Sequence, residues 1–263
     1  MNEKSVNNTI NLLIAIHKSN SLIQTFCIVG SFVKNKSLSH DIDCICINGQ
    51  DVYEYYFKNL PLLIKEKITL KRIDDSLHLL VNGIEFGLVY FLKDQFYRYV
   101  DNLIEGKFLD IETKPWVIGG KIPEVLLTDI VFADIKFDKE NRFINLQNIL
   151  KKTYPIKLKN NLIRYLEDEL ISKIKIVERL LTNADYLRFD LGISEIYLIC
   201  IRLMFAQNNL YLPPIKHLID GLYDIPPVCK RILNEIILSA RIDDKKERLR
   251  LIKKVSLSLL QAY

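Results

Sequence analysis

The chain has 263 residues, 49% hydrophobic and 26% charged, a balance that excludes wholesale disorder and can fill one large domain or two modest ones. Its net charge of +5 is uneven: residues 1–150 carry 17 Lys+Arg against 19 Asp+Glu, net −2, and residues 151–263 carry 20 against 13, net +7. No window approaches the roughly 20 apolar residues of a membrane span, and "MNEKSVNN" leads into no apolar signal region. The expectation is a soluble, cytoplasmic protein without membrane contact.

In chain order, residues 3–19 place Ile10, Leu13 and Ile16 at helical spacing. "LIQTFCIVG" predicts a strand ending at Gly30, and "DIDCICI" a second one. "DVYEYYFKNLPLLIKEK" reads as a helix broken near Pro61. In "SLHLLVNGIEFGLVYF" the Asn82-Gly83 pair between apolar runs signals a hairpin, because both residues tolerate positive φ. A small sheet of four or five strands is therefore expected. After Lys93 the strands thin out. "DQFYRYVDNLIEG" predicts a helix stopped at Gly106, and "ETKPWVIGGKIPE" a turn-rich connection.

From Tyr154-Pro155 onward the pattern is helical. "KLKNNLIRYLEDELISKIKIVERLLTN" gives one long amphipathic helix and "SEIYLICIRLMFAQNN" an apolar one. "PPIKHLIDGLYD", "PPVCKRILNEIILSARI" and "DDKKERLRLIKKVSLSLLQ" supply three more, two of them opening on proline pairs. The expected class is α+β: a small mixed-sheet domain over residues 1–150, then an all-α bundle over 151–263. Cys27, Cys44, Cys46, Cys200 and Cys229 are odd in number, lack a CxxC pair and sit in apolar stretches. They read as buried reduced thiols, in place of a disulfide frame or zinc site.

Chemistry concentrates in "GSFVKNKSLSHDID", residues 30–43. Asp41 and Asp43 lie two apart on a strand, so both carboxylates reach one side. Their repulsion is relieved by a divalent cation, and hard oxygen ligands favour Mg²⁺ or Mn²⁺. Glu85, on a strand otherwise nearly free of charge, is either a third ligand or an edge glutamate facing water. Gly30-Ser31 opens a turn where backbone and hydroxyl can approach a phosphate, and Lys34 and Lys36 follow with positive charge.

A strand, Gly-Ser, nine residues and Asp-x-Asp entering another strand resembles the signature of the DNA polymerase beta-type nucleotidyltransferase superfamily. "FADIKFDKENRFINLQNILKKTYPIKL" is similar to the segment leading into a helical domain in small bacterial members, and "MFAQNNLYLPPIKHL" to their helical motif. The layout is most like the lincosamide- and aminoglycoside-modifying enzymes. The resemblance implies a triphosphate, ATP above all, held by Gly30 and Ser31 with Lys34. It implies two divalent ions on Asp41, Asp43 and Glu85. It places Lys216 near the triphosphate and Asn208 and Tyr211 near the nucleotide; Glu195, a carboxylate on an apolar helix, is a candidate base for the acceptor hydroxyl. Lys216 reads equally as an exposed lysine at a helix start, and Trp116 as a packing anchor or a border of the acceptor pocket.

Four residues depart from the pattern. Lys34-Asn35 stand where Arg-Gly is common, His40 replaces a small polar residue, and Glu85 replaces aspartate. The extra methylene of Glu85 moves the carboxylate by about 1.5 Å. The implied activity is transfer of a nucleoside monophosphate to a hydroxyl, on a small molecule such as an antibiotic. The alternatives are a tRNA or protein acceptor, as in toxin–antitoxin relatives, or a nucleotide-binding regulator without chemistry.

Overall fold

The structure is a computed structural model and describes residues 3–34, 41–64, 68–73, 76–81, 83–108, 122–214, 218 and 225–261. The chain divides into two compact units. One comprises Met1–Ile104, Phe108–Thr153 and Pro213–Tyr223; the other comprises Glu105–Lys107, Tyr154–Leu212 and Asp224–Tyr263. The class is α+β, a mixed sheet together with a helical part.

Among the described residues six strands build the sheet of the first unit: β1 (Ile23–Val29), β2 (Asp41–Asn48), β3 (Ile68–Ile73), β4 (Ser76–Val81), β5 (Ile84–Leu92) and β6 (Asp134–Asp138). Their order is β3-β4-β5-β2-β1-β6. Every pairing is antiparallel except β2 with β5, which is parallel. The expected hairpin forms, with Val81 opposite Ile84 and Gly83 at φ 79°. Strand β6, "DIKFD", goes beyond the four or five strands expected. It is a five-residue edge strand in which Asp134, Lys136 and Asp138 alternate with two apolar residues, too short and too polar to announce itself.

Helix α1 (Glu3–Ser19) and helix α3 (Tyr53–Leu63) cover one face of the sheet. Val6, Ile10 and Leu13 of α1 and Tyr56 and Leu60 of α3 meet Phe26, Ile28, Ile42, Cys44, Cys46, Phe86 and Leu88 there in a single core. Pro61 does not break α3, because it falls in the last turn, where its missing N–H costs one hydrogen bond before the helix ends at Leu63. On the other face lie α4 (Lys93–Ile104), α5 (Val125–Phe132) and α6 (Arg142–Lys152). Phe96 of α4 stands edge-on to Phe91 of β5 at 5.2 Å and stacks on Phe143 of α6 at 6.0 Å.

His17 closes α1 from inside the first core. Its Nδ1 lies 2.7 Å from the Leu13 carbonyl oxygen, its Nε2 lies 2.9 Å from the Tyr90 hydroxyl, and the ring stacks on Tyr56 at 4.6 Å. Burial lowers its pKa from 6.5 to about 4. Above pH 6.5 the ring is neutral folded or unfolded, so it contributes nothing to the pH dependence. Between pH 6.5 and 4 the unfolded chain takes up a proton that the folded chain refuses, and stability falls. The expected loss is about 3 kcal/mol. Urea midpoints at pH 7, 5 and 4 check this, since His17→Gln removes that share of the acid sensitivity; an unchanged slope would contradict it.

The second unit is built on α7 (Ile156–Thr182), α8 (Tyr186–Gln207), α9 (Pro227–Ala240) and α10 (Lys245–Leu260). Asp185 and Asp244 cap α8 and α10 by accepting from the Arg188 and Glu247 amides. Gly192 lets α7 and α8 approach closely, since a Cβ there would lie 2.6 Å from Val177 Cγ2. Most of the helix expected over "PPIKHLIDGLYD" lies outside the described residues. All five cysteines are buried free thiols. No helix among the described residues is long and apolar enough to cross a membrane.

Candidate active site

Register assembles the site. Across the parallel pair, Asp41 stands opposite Glu85 and Asp43 opposite Gly87. Across the next pair, Leu80 stands opposite Glu85 and His78 opposite Gly87. On the other side Asp43 faces Val29. Because paired residues share a face, Asp41, Asp43, Glu85 and His78 all project from the face that carries α4 and α5. The far half of that face is apolar, with Ile45, Ile47, Val89 and Phe91. The polar residues occupy the end where β1 leaves the sheet at Gly30.

Asp43 is seated on backbone. Gly30 has φ 75°, and a Cβ there would lie 3.0 Å from Asp43 Oδ2. A Cβ at Gly87 would lie 2.9 Å from Asp43 Oδ1. The carboxylate therefore spreads over both neighbouring strands, and a side chain at either glycine would displace it. Gly30 needs glycine twice over, for its left-handed backbone and for this approach. The next residue, Ser31, is buried and begins the short helix α2 (Ser31–Lys34). Lys34 ends α2 with its Nζ 3.4 Å from the centroid of the Phe132 ring at the end of α5.

Glu85 shares the face of the aspartates but turns toward β4. Its Oε1 accepts from His78 Nδ1 at 2.9 Å, and its side chain is 51% exposed. Among the described residues no three His, Cys, Asp or Glu side chains are already gathered as a cation site. Glu195, Asn208 and Tyr211 belong to the second unit. There Glu195 pairs with Lys173, Asn208 donates to the Met204 carbonyl at 2.8 Å, and Tyr211 packs on Tyr154 at 4.9 Å. Lys216, Trp116, Asn35, Lys36 and His40 lie outside the described residues.

Two polar residues of the first unit were missed in the sequence. His78 carries no motif, and only the β4–β5 register brings it beside Glu85. Asp129 stands in the middle of "VLLTDIVF", the apolar helix α5. It is 8% exposed, and burial, then the nearby Asp43 charge, raises its pKa from 3.8 to about 8. The argument that singled out Glu85, a charge in an apolar run, applies to Asp129 with more force.

No protein-family model matches the chain. No curated protein matches it. Among solved structures it is similar to a nucleotidyltransferase-like protein from Exiguobacterium sibiricum, with 10% identity, a TM-score of 0.46 and coverage of 98% of this chain and 74% of the other. A Thermotoga maritima CCA-adding enzyme complexed with tRNA aligns at 15% identity and a TM-score of 0.30, over 97% and 69%. A CCA-adding enzyme in complex with ATP aligns at 14% identity and a TM-score of 0.31, over 99% and 68%. At such identities and scores, function has to be argued from the residues of the site.

Proposed function

We propose that this protein is a divalent-cation-dependent nucleotidyltransferase that moves a nucleoside monophosphate from a nucleoside triphosphate, ATP by resemblance, to an acceptor hydroxyl. The observation that carries the reading is Asp43 seated between Gly30 and Gly87, with Asp41 on the same face and Ser31 at the adjoining turn. The donor set is all carboxylate oxygen, which fits Mg²⁺ or Mn²⁺. Bound there, such an ion neutralises phosphate charge and makes a hydroxyl more acidic.

Asp41 and Asp43 hold the cation in this reading, while Gly30 leaves room for phosphate oxygens beside Ser31. Lys34, fixed over Phe132, adds positive charge on the phosphate side. The acceptor oxygen bonds to the α-phosphorus, the bridging P–O bond to the β-phosphate breaks, and pyrophosphate leaves. The acceptor proton passes to a base or to water. Lys216 at the triphosphate and Asn208 and Tyr211 at the nucleotide are assigned by resemblance alone, and Glu195 as that base from its place on an apolar helix.

A small hydroxylated molecule, such as an antibiotic, is the proposed acceptor. One observation favours a tRNA end instead: an open groove of about 750 Å³ along α10, lined in part by Lys246, Arg250, Lys253 and Lys254. Arg250 and Lys253 are already paired there with Glu247 and Glu178. Steeply salt-dependent RNA binding would mark the groove as the acceptor surface. The deciding experiment is mass spectrometry of candidate small molecules and tRNA after incubation with labelled triphosphates and Mg²⁺. The expected product is heavier by one nucleoside monophosphate and matched by pyrophosphate. Failure to bind any nucleotide with Mg²⁺ or Mn²⁺ would end the proposal.

A further inference from the structure

Helix α10 carries a second stripe besides the one it buries. Leu249, Ile252, Val255 and Leu259 are its core residues. Lys246, Arg250, Lys253, Lys254 and Leu257 recur at steps of three and four, so they make a ridge along an adjoining face. The ridge borders the open groove of about 750 Å³, whose apolar lining is Leu181, from the last turn of α7, with Leu249 and Leu257. Leu257 is left 53% exposed in this basic setting.

Two of the four cations are engaged, Arg250 with Glu247 and Lys253 with Glu178. Lys246 and Lys254 have no carboxylate partner among the described residues. Both engaged pairs are solvent-exposed, and exposed pairs contribute little, so incoming carboxylates can replace Glu247 and Glu178. An apolar floor with basic edges complements a helix that carries apolar residues on one face and acids beside them. From Lys246 to Leu257 the ridge runs about 16 Å, or about three helical turns, which suits such a helix. RNA matches it less well. None of the lining residues is aromatic, so bases find no stacking platform, and a phosphate backbone makes no use of three leucines.

We infer that this groove docks an acidic amphipathic helix of a separate protein partner. The apolar residues of that helix rest on Leu181 and Leu257, with Leu249 beneath, and its carboxylates meet Lys246 and Lys254. The groove lies wholly within the second unit, and its docking role is independent of the nucleotidyltransferase reading.

The test is fluorescence anisotropy of the full chain with a labelled synthetic helix of about four turns, bearing leucines at i, i+3, i+4 and i+7 and glutamates beside them. A scrambled peptide of the same composition should bind at least about tenfold more weakly, because it has no apolar face. Leu257→Asp should weaken binding of the helical peptide about tenfold or more, by placing an unpaired charge on the floor. Lys246→Glu with Lys254→Glu should do the same and reduce the salt dependence of binding. Leu257, Lys246 and Lys254 are exposed, so these variants should melt with the native protein. Equal binding of the scrambled peptide, no binding of the helical one, or native binding in both variants would overturn the inference. Tight binding of labelled tRNA, or a dimer that Leu257→Asp dissolves, in place of peptide binding would also overturn it and give the groove to RNA or to a second copy.

Discussion

Asp43→Asn is expected to reduce nucleotidyl transfer by at least about a hundredfold while the protein folds normally. The substitution keeps the shape of a side chain that spreads over Gly30 and Gly87, so neither strand has to move. What it removes is the negative charge that, in the proposed function, holds a cation against the α-phosphate. Several kcal/mol of transition-state stabilisation depend on such an ion, and about 3 kcal/mol corresponds to roughly a hundredfold in rate. Because the shape of the side chain is kept, the melting temperature should hold. The measurement is pyrophosphate release and thermal melting on one preparation. A folded Asp43→Asn protein with native turnover would refute catalysis at this face. A native protein that binds nucleotide yet never turns over would point to a regulator.

The second large effect is expected from a single methyl group. Gly87→Ala should lower turnover by roughly tenfold to a hundredfold, since a misplacement of about 1 Å at a reacting centre has that consequence. The added Cβ would come within 2.9 Å of Asp43 Oδ1, closer than real contacts allow, and the carboxylate must shift. The backbone at Gly87 is not left-handed, so the fold should change by less than about 1 kcal/mol. Gly83→Ala is the matched control. Gly83 has φ 79° with nothing within 4 Å of a Cβ, so alanine there brings backbone strain of about 1–2 kcal/mol and no loss of turnover. If both variants lost activity in proportion to stability, the seat of Asp43 would be irrelevant to the chemistry. Turnover and urea midpoints on the pair distinguish these outcomes.

Local signals carried most of the fold and the first half of the site. The alternation in "DIDCICI" placed Asp41 and Asp43 on one face, and Asn82-Gly83 announced the hairpin, because both effects are encoded within a few residues. The helices of the second unit were legible for the same reason, through periodicity and proline pairs. Relations between distant segments were not legible. Nothing in "SLHLLV" states that His78 will stand opposite Gly87, or in "VLLTDIVF" that Asp129 will be buried. Helix α5 hid because an eight-residue apolar run has no periodicity to read, and β6 because an edge strand has no second buried face. Nothing in the sequence marks Gly87, which only the register sets against a carboxylate.

The parallel pairing of β2 with β5 also sets the order in which the protein can acquire its proposed chemistry. Strands β3, β4 and β5 join through near-neighbour antiparallel pairings, and β1 joins β2 in the same way. Each group closes a short loop and can form early. Joining the two groups requires Asp41–Asn48 to find Glu85–Leu92, a contact across more than forty residues that loop entropy delays. Until then Asp43 has no floor on its β5 side, and Glu85 lies far from Asp41. Nucleotide binding should therefore appear in the slow phase of refolding, after most helical signal has returned, and would serve as a kinetic reporter of that single strand pairing.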